Sequence, residues 1–155
     1  IRRALECGFE RVISMEINPQ FYTDIGKKLK ADARVTLLLG DTEDLLPSVM
    51  ASITERAVFW LDGHILTAGS RFFGKHKVPL LQELAIIAEH PIKTHTILID
   101  DRNLMSSERK GWEDVSEGLV LAALKAINPD YQISYEDSVN GLEVIIVARI
   151  EDAWS

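Results

Sequence analysis

Cysteine is nearly absent from this chain. Among 155 residues only Cys7 occurs, which excludes an intramolecular disulfide and fits a reducing, cytoplasmic compartment. Positive charge is also scarce. Seventeen Lys and Arg stand against 24 Asp and Glu, a net charge of −7, so a general nucleic-acid or anionic-membrane binder is not expected. The one local basic candidate is "RFFGKHK" at 71–77. No apolar run reaches 18 residues and no signal-peptide pattern is present, so neither a membrane span nor export is expected. The first residue is Ile1 rather than Met, already within the helix-like "IRRALECG", and an upstream segment is expected to be missing.

What is present suffices for a sizeable core. Hydrophobic residues make up 46% of the chain, which at this length builds one soluble domain over 1–155. No repeat, low-complexity tract or linker divides it. Strand and helix signals alternate. The apolar runs "RVISMEI" (11–17), "RVTLLLG" (34–40), "RAVFWLD" (56–62) and "THTILIDD" (94–101) read as strands, and Trp60 in the third is assigned to the core. Asn18 caps a helix with Pro19 at its first position and Phe21, Ile25 and Leu29 on one face. A short helix enters through Asp41 or Thr42. Pro79 opens another and Pro91 closes it. The spacing of Trp112, Val115, Leu119, Ala122 and Ala126 predicts a helix from Trp112 to about Ala126. At the end, "YQISYED" and "LEVIIVARI" flank an Asn140–Gly141 turn and read as a β-hairpin. Such alternation predicts an α/β fold with a doubly wound, mainly parallel sheet, to which the hairpin adds an antiparallel strand.

The strand endings carry the functional signal. In open α/β sheets ligands bind beyond the carboxyl ends of the strands. Here the runs end at Glu16, Asp41, Asp62 and Asp100–Asp101. Asp41 has a competing use as the cap of the helix that follows, and Glu16 as a solvated strand end. If the third and fourth strands are neighbours, Asp62, Asp100 and Asp101 converge. Two unit charges ~4 Å apart repel by about 4 kcal/mol at an effective dielectric of 20, so such a cluster calls for a cation, shared protons or intervening water. Hard oxygen ligands suit Mg²⁺. His64 follows Asp62 by two residues and, on an extended chain, points to the same side, where it would bind metal or take a proton. His76, His90 and His95 show no comparable context.

At these residues the chain resembles the class I S-adenosylmethionine-dependent methyltransferases, over nearly its whole length. "VISMEINP" is similar to the second strand of that Rossmann-like fold. The resemblance makes Glu16 the ribose-binding acid, and Asp41 with Thr42 the adenine-contacting pair. "FWLDGH" with "ILIDD" resembles the metal-dependent O-methyltransferases, including catechol O-methyltransferase and the macrocin O-methyltransferase and cephalosporin hydroxylase-like group. That likeness implies Asp62, Asp100 and Asp101 as Mg²⁺ ligands, with Asp62 also at the cofactor and the reacting centre. His64 stands where the macrocin group has its general base, an Asp. The family's first strand and glycine-rich loop have no counterpart after Ile1. The implied activity is methyl transfer from S-adenosylmethionine to a hydroxyl of a small-molecule substrate, with the loop 63–78 over the acceptor and a homo-oligomer compatible with the family. Two other readings stay open: a catalytically degenerate binding module on the same fold, and a nucleotide or nucleotide-sugar binding domain.

Overall fold

The computed structural model describes residues 1–29, 32–63, 74–106, 108–137 and 143–151. After a short helix, α1 (Arg2–Glu6), strand β1 (Val12–Glu16) runs into α2 (Pro19–Leu29). Strand β2 (Val35–Leu39) leads to α3 (Thr42–Ala51), and β3 (Val58–Leu61) precedes α4 (Leu80–Glu89). Strand β4 (Thr96–Ile99) is followed by a 3-10 turn at Arg102–Leu104, then α5 (Glu117–Ile127), β5 (Gln132–Asp137) and β6 (Glu143–Arg149). The alternation expected from the apolar runs is present. β1 pairs with β2 and β3 with β4, both in parallel, while β6 lies antiparallel between β4 and β5. The terminal hairpin is therefore formed, although Asn140 and Gly141 lie outside the described residues. Two ladders result, β1–β2 and β3–β4–β6–β5.

Period-two alternation decides which face of the larger ladder is covered. Leu61, Ile97, Ile99, Ile146 and Ala148 point to one side and are buried in one cluster with Leu84 and Ile87 of α4 and Val120 and Leu124 of α5. Trp60 sits between Phe59 and Leu61, so it points the other way and is 54% exposed. Its expected place in the core is corrected by the pleat: an apolar run does not tell which of its faces is covered. Phe21 is likewise 55% exposed, and α2 buries none of its residues.

The expected start of α5 is also corrected. The helix begins at Glu117, with Ser116 as its cap accepting from the Leu119 amide at 3.4 Å. Trp112 and Val115 are buried in the turns that precede it, which is why they mimicked a helical stripe. Elsewhere the caps stand as read: Asn18 Oδ1 accepts from the Gln20 amide, and Asp41 Oδ1 from the Glu43 amide.

Two histidines form a buried chain of hydrogen bonds behind the third and fourth strands. The Ala57 amide donates to His95 Nδ1 at 3.1 Å, so the His95 proton sits on Nε2 and is donated to His90 Nδ1 at 2.9 Å. His90 Nε2 then donates to the Ile53 carbonyl at 3.1 Å. Tyr131 closes the cluster by donating its hydroxyl to the His95 carbonyl. Every ring nitrogen is used with both imidazoles neutral, as buried polar groups require. Burial foremost, with the neighbouring His90 and Lys93 adding to it, pulls His95 down to about 4 from an ordinary 6.5. Its neutral form therefore contributes stability above pH 6.5, and this is lost as pH falls through about 4. The gap corresponds to about 3 kcal/mol. Imidazole ¹⁵N spectra are expected to show His95 as the Nε2–H tautomer, titrating near pH 4. A midpoint near 6.5 would contradict the buried chain.

Candidate functional site

The parallel pairing of β3 and β4 sets Leu61 opposite Ile99, and the Asp100 amide donates to the Leu61 carbonyl at 3.1 Å. Asp62 and Asp100 thereby leave the sheet side by side and border one small cleft with Gly63, Glu83 and Trp112. On the other ladder Glu16 pairs with Leu39, so β1 and β2 also end together. The segment after β3 shows that both ladders end on one edge. The Lys75 amide donates to Asp41 Oδ2 at 2.9 Å, and a Cβ at Gly74 would lie 3.3 Å from Ile17 Cδ1. Gly74 and Lys75, a few residues before α4, thus lie against the ends of β1 and β2.

Each acidic ending is held differently. Glu16 is half-buried, and its Oε1 accepts from the Asn18 amide at 2.7 Å. Its other oxygen has no partner among the described residues. Asp41 follows Gly40, whose φ of +151° and a Cβ position 3.1 Å from Leu45 Cδ1 together favour glycine there. Both Asp41 oxygens are engaged, by the Glu43 and Lys75 amides, so the capping use weighed for this residue is the one seen. Asp101 has a left-handed backbone, φ 62° and ψ 30°, a conformation that aspartate tolerates better than most residues. Its amide donates to Asp100 Oδ1 at 2.8 Å. The turn is anchored by Arg102, which stacks 4.1 Å from the Tyr135 ring centre and pairs with Glu117 at 3.0 Å.

The basic stretch does not stand apart as a patch. Lys75 Nζ pairs with Asp44, and His76 Nδ1 lies 2.8 Å from Glu43 Oε1, so both meet acids in the first turn of α3. Arg71 and His64 lie outside the described residues. Among the described residues no three carboxylate, histidine or cysteine side chains are grouped as a metal would need. Of the three expected to converge on one ion, Asp62 and Asp100 share the cleft, and Asp101 is not among the residues that line it. The residues present do not fit a three-carboxylate Mg²⁺ site.

The group that sequence reasoning missed is Glu83. It lies on α4 at 3% exposure, on the stripe formed by Leu80, Leu84 and Ile87. A charged residue at an i, i+3, i+4, i+7 apolar position was the signal that could have found it. Burial pushes its carboxyl up to about 7, against a hydrogen bond from Thr42, and the charges of Glu43 and Asp41 add to the rise.

Solved structures provide a comparison for this arrangement. No protein-family model matches the chain, and no curated protein matches it in sequence. A Clostridium thermocellum protein assigned as an rRNA methylase superposes with a TM-score of 0.55 and 17% identity, covering 90% of this chain and 74% of its own. The fold is that of the Rossmann-like methyltransferases. The O-methyltransferase from Bacillus cereus, in complex with SAH, gives a TM-score of 0.53 at 13% identity, over 91% of this chain and 63% of its own. A Streptococcus mutans protein assigned as a methyltransferase, also with SAH, gives 0.51 at 16%, over 90% and 76%. At these identities the methyltransferase likeness concerns the fold.

Within that fold Glu83 has a measurable consequence. Its raised value means that folding takes up a proton between pH 4.5 and about 7. Its contribution to stability is present below 4.5 and lost as pH rises through 7. Replacing it with the neutral Glu83→Gln removes that loss. The stability of Glu83→Gln relative to the unmodified chain is expected to rise by about 3 kcal/mol between pH 4.5 and 8 in urea unfolding. A difference that stays flat with pH would show that the carboxyl is not buried as described.

Proposed function

We propose that this chain binds S-adenosylmethionine across the carboxyl ends of β1 to β4 and transfers its methyl group to a hydroxyl of a small molecule. The observation that carries this reading is the gathering of Glu16, Asp41–Thr42, Asp62–Gly63 and Asp100 on one sheet edge. The fold, shared with two structures that hold SAH, supports it. Glu16 has an oxygen at the end of β1 that is unpartnered among the described residues and would accept a ribose hydroxyl. Asp41 and Thr42 form the entrance of α3, where the cofactor's adenine would rest. Because both Asp41 oxygens already accept backbone amides, this turn would act through its shape rather than through a free carboxylate.

The cofactor supplies an electrophilic methyl group on a sulfonium. The chain's work is to hold acceptor and methyl in line and to take the hydroxyl proton, since orientation supplies much of the rate in such reactions. His64 is the proposed general base, on the strength of its place two residues after Asp62. Asp62 and Asp100 border the cleft in which the acceptor would sit. The Mg²⁺ that the resemblance implies finds no three-carboxylate set among the described residues, so no step is assigned to it. The net charge of −7 favours a small acceptor over a nucleic acid.

Calorimetry with SAH tests the cofactor reading. Glu16→Ala is expected to weaken binding at least tenfold, since a hydrogen bond to a charged group contributes about 1.5–3 kcal/mol. Unchanged affinity in a folded variant would remove Glu16 from the site. With a methyl acceptor in hand, His64→Ala should lower turnover by about 10²–10⁴ if His64 is the base. An unaffected variant would return His64 to a purely connecting role.

A further inference from the structure

Glu83 occupies a position where every consideration of helix packing favours an apolar residue. It lies in the first turn of α4, buried with Leu80, Leu84 and Ile87. A carboxyl group in such a place is unfavourable unless its oxygens are used. A hydrogen bond engages it on one side of the cleft, and close packing holds it on the other. Thr42, the first residue of α3, hydrogen-bonds the carboxyl. Toward the end of β3, a Cβ at position 63 would lie only 3.3 Å from Glu83 Oε1 and 3.5 Å from Pro79 Cγ. Gly63 therefore lets the turn after β3 settle directly on the carboxyl, which an added Cβ would press aside by a few tenths of an ångström.

We propose that Glu83 is a positioning residue, a buried strut that ties the turn after β2 to the turn after β3 and fixes the spacing between Asp41–Thr42 and Asp62–Gly63. The two turns belong to different ladders, and β2 and β3 share no strand pairing among the described residues. The strut supplies a link that the backbone does not. Its effect on cofactor affinity rests on the function proposed above, whereas the mechanical tie does not.

Two readouts on the whole chain separate these levels: SAH affinity by calorimetry, and amide hydrogen exchange. The reporters are the Glu43 amide, held by Asp41, and the Asp100 amide, held by the Leu61 carbonyl at the end of β3. At pH 5, where the Glu83 carboxyl is protonated, Glu83→Gln keeps the charge, the volume and an oxygen for Thr42, so both readouts should stay within threefold of the unmodified chain. Glu83→Leu should keep the fold but raise exchange at both reporters at least tenfold, leave Ile97 and Ile146 unchanged, and weaken SAH at least tenfold. Exchange at Glu43 and Asp100 that does not respond to Glu83→Leu overturns the strut. If the unmodified chain binds no SAH, the cofactor reading fails and exchange alone decides the tie. If Glu83→Leu does not fold, Gly63→Ala decides instead. It presses on the carboxyl from one turn, so faster exchange at Glu43 supports the strut and unchanged exchange there overturns it.

Discussion

The parallel register of β3 on β4 is the constraint on which the rest of the site depends. Because Leu61 faces Ile99 and the Asp100 amide closes on the Leu61 carbonyl, two acidic residues emerge together from an apolar ladder. A slip of one residue would turn Leu61, Ile97 and Ile99 out of the core, so the burial of these side chains enforces the position of the carboxylates. Packing energy and site geometry are here one requirement. The ends of β1 and β2 come to the same edge, where Gly74 and Lys75 lie against Ile17 and Asp41.

Among the described residues, acidic and imidazole groups inside the core sit at two places, and these respond to pH in opposite senses. The His90–His95 chain joins the end of α4 to the loop before β3 and needs neutral imidazoles. Glu83 joins the start of α4 to the turns after β2 and β3 and is most favourable when protonated. Acid weakens the first and favours the second. Helix α4 is thus fastened at both ends by titratable groups, while its middle is held by apolar packing of Leu84, Ile86 and Ile87. The charged networks nearer the surface, such as Lys75 with Asp44, are exposed on both sides and contribute little to stability.

The strands were legible in sequence because each is a short apolar run closed by a turn residue, and the caps because Asn18 and Asp41 are side chains that bond the next amides. The fold followed from their alternation. What was not legible had physical reasons. Trp60 looks like core in any apolar run, and only the set of covering helices says otherwise. Trp112 and Val115 have helical spacing yet pack as turns, because Ser116 offers a better start for α5. The two histidines are five residues apart and gain their context from Ala57 and Ile53, 38 and 37 residues away. Asp100 and Asp101 are adjacent in sequence, but only the structure shows the left-handed turn in which the Asp101 amide bonds the Asp100 carboxylate. Glu83 was visible as a charge on an apolar stripe, and its partners were not.

The central claim is that one edge, formed by the ends of four strands, is a cofactor site. Titration of the isotopically labelled chain with SAH, followed by amide chemical shifts, tests it most directly. The account predicts saturable shifts at Asn18, Glu43, Gly63 and Asp101, in the turns after β1, β2, β3 and β4, with Ile133 and Ala148 unmoved. Shifts confined to β5 and β6 or to the surroundings of His90, or no saturable shift at all, would contradict it.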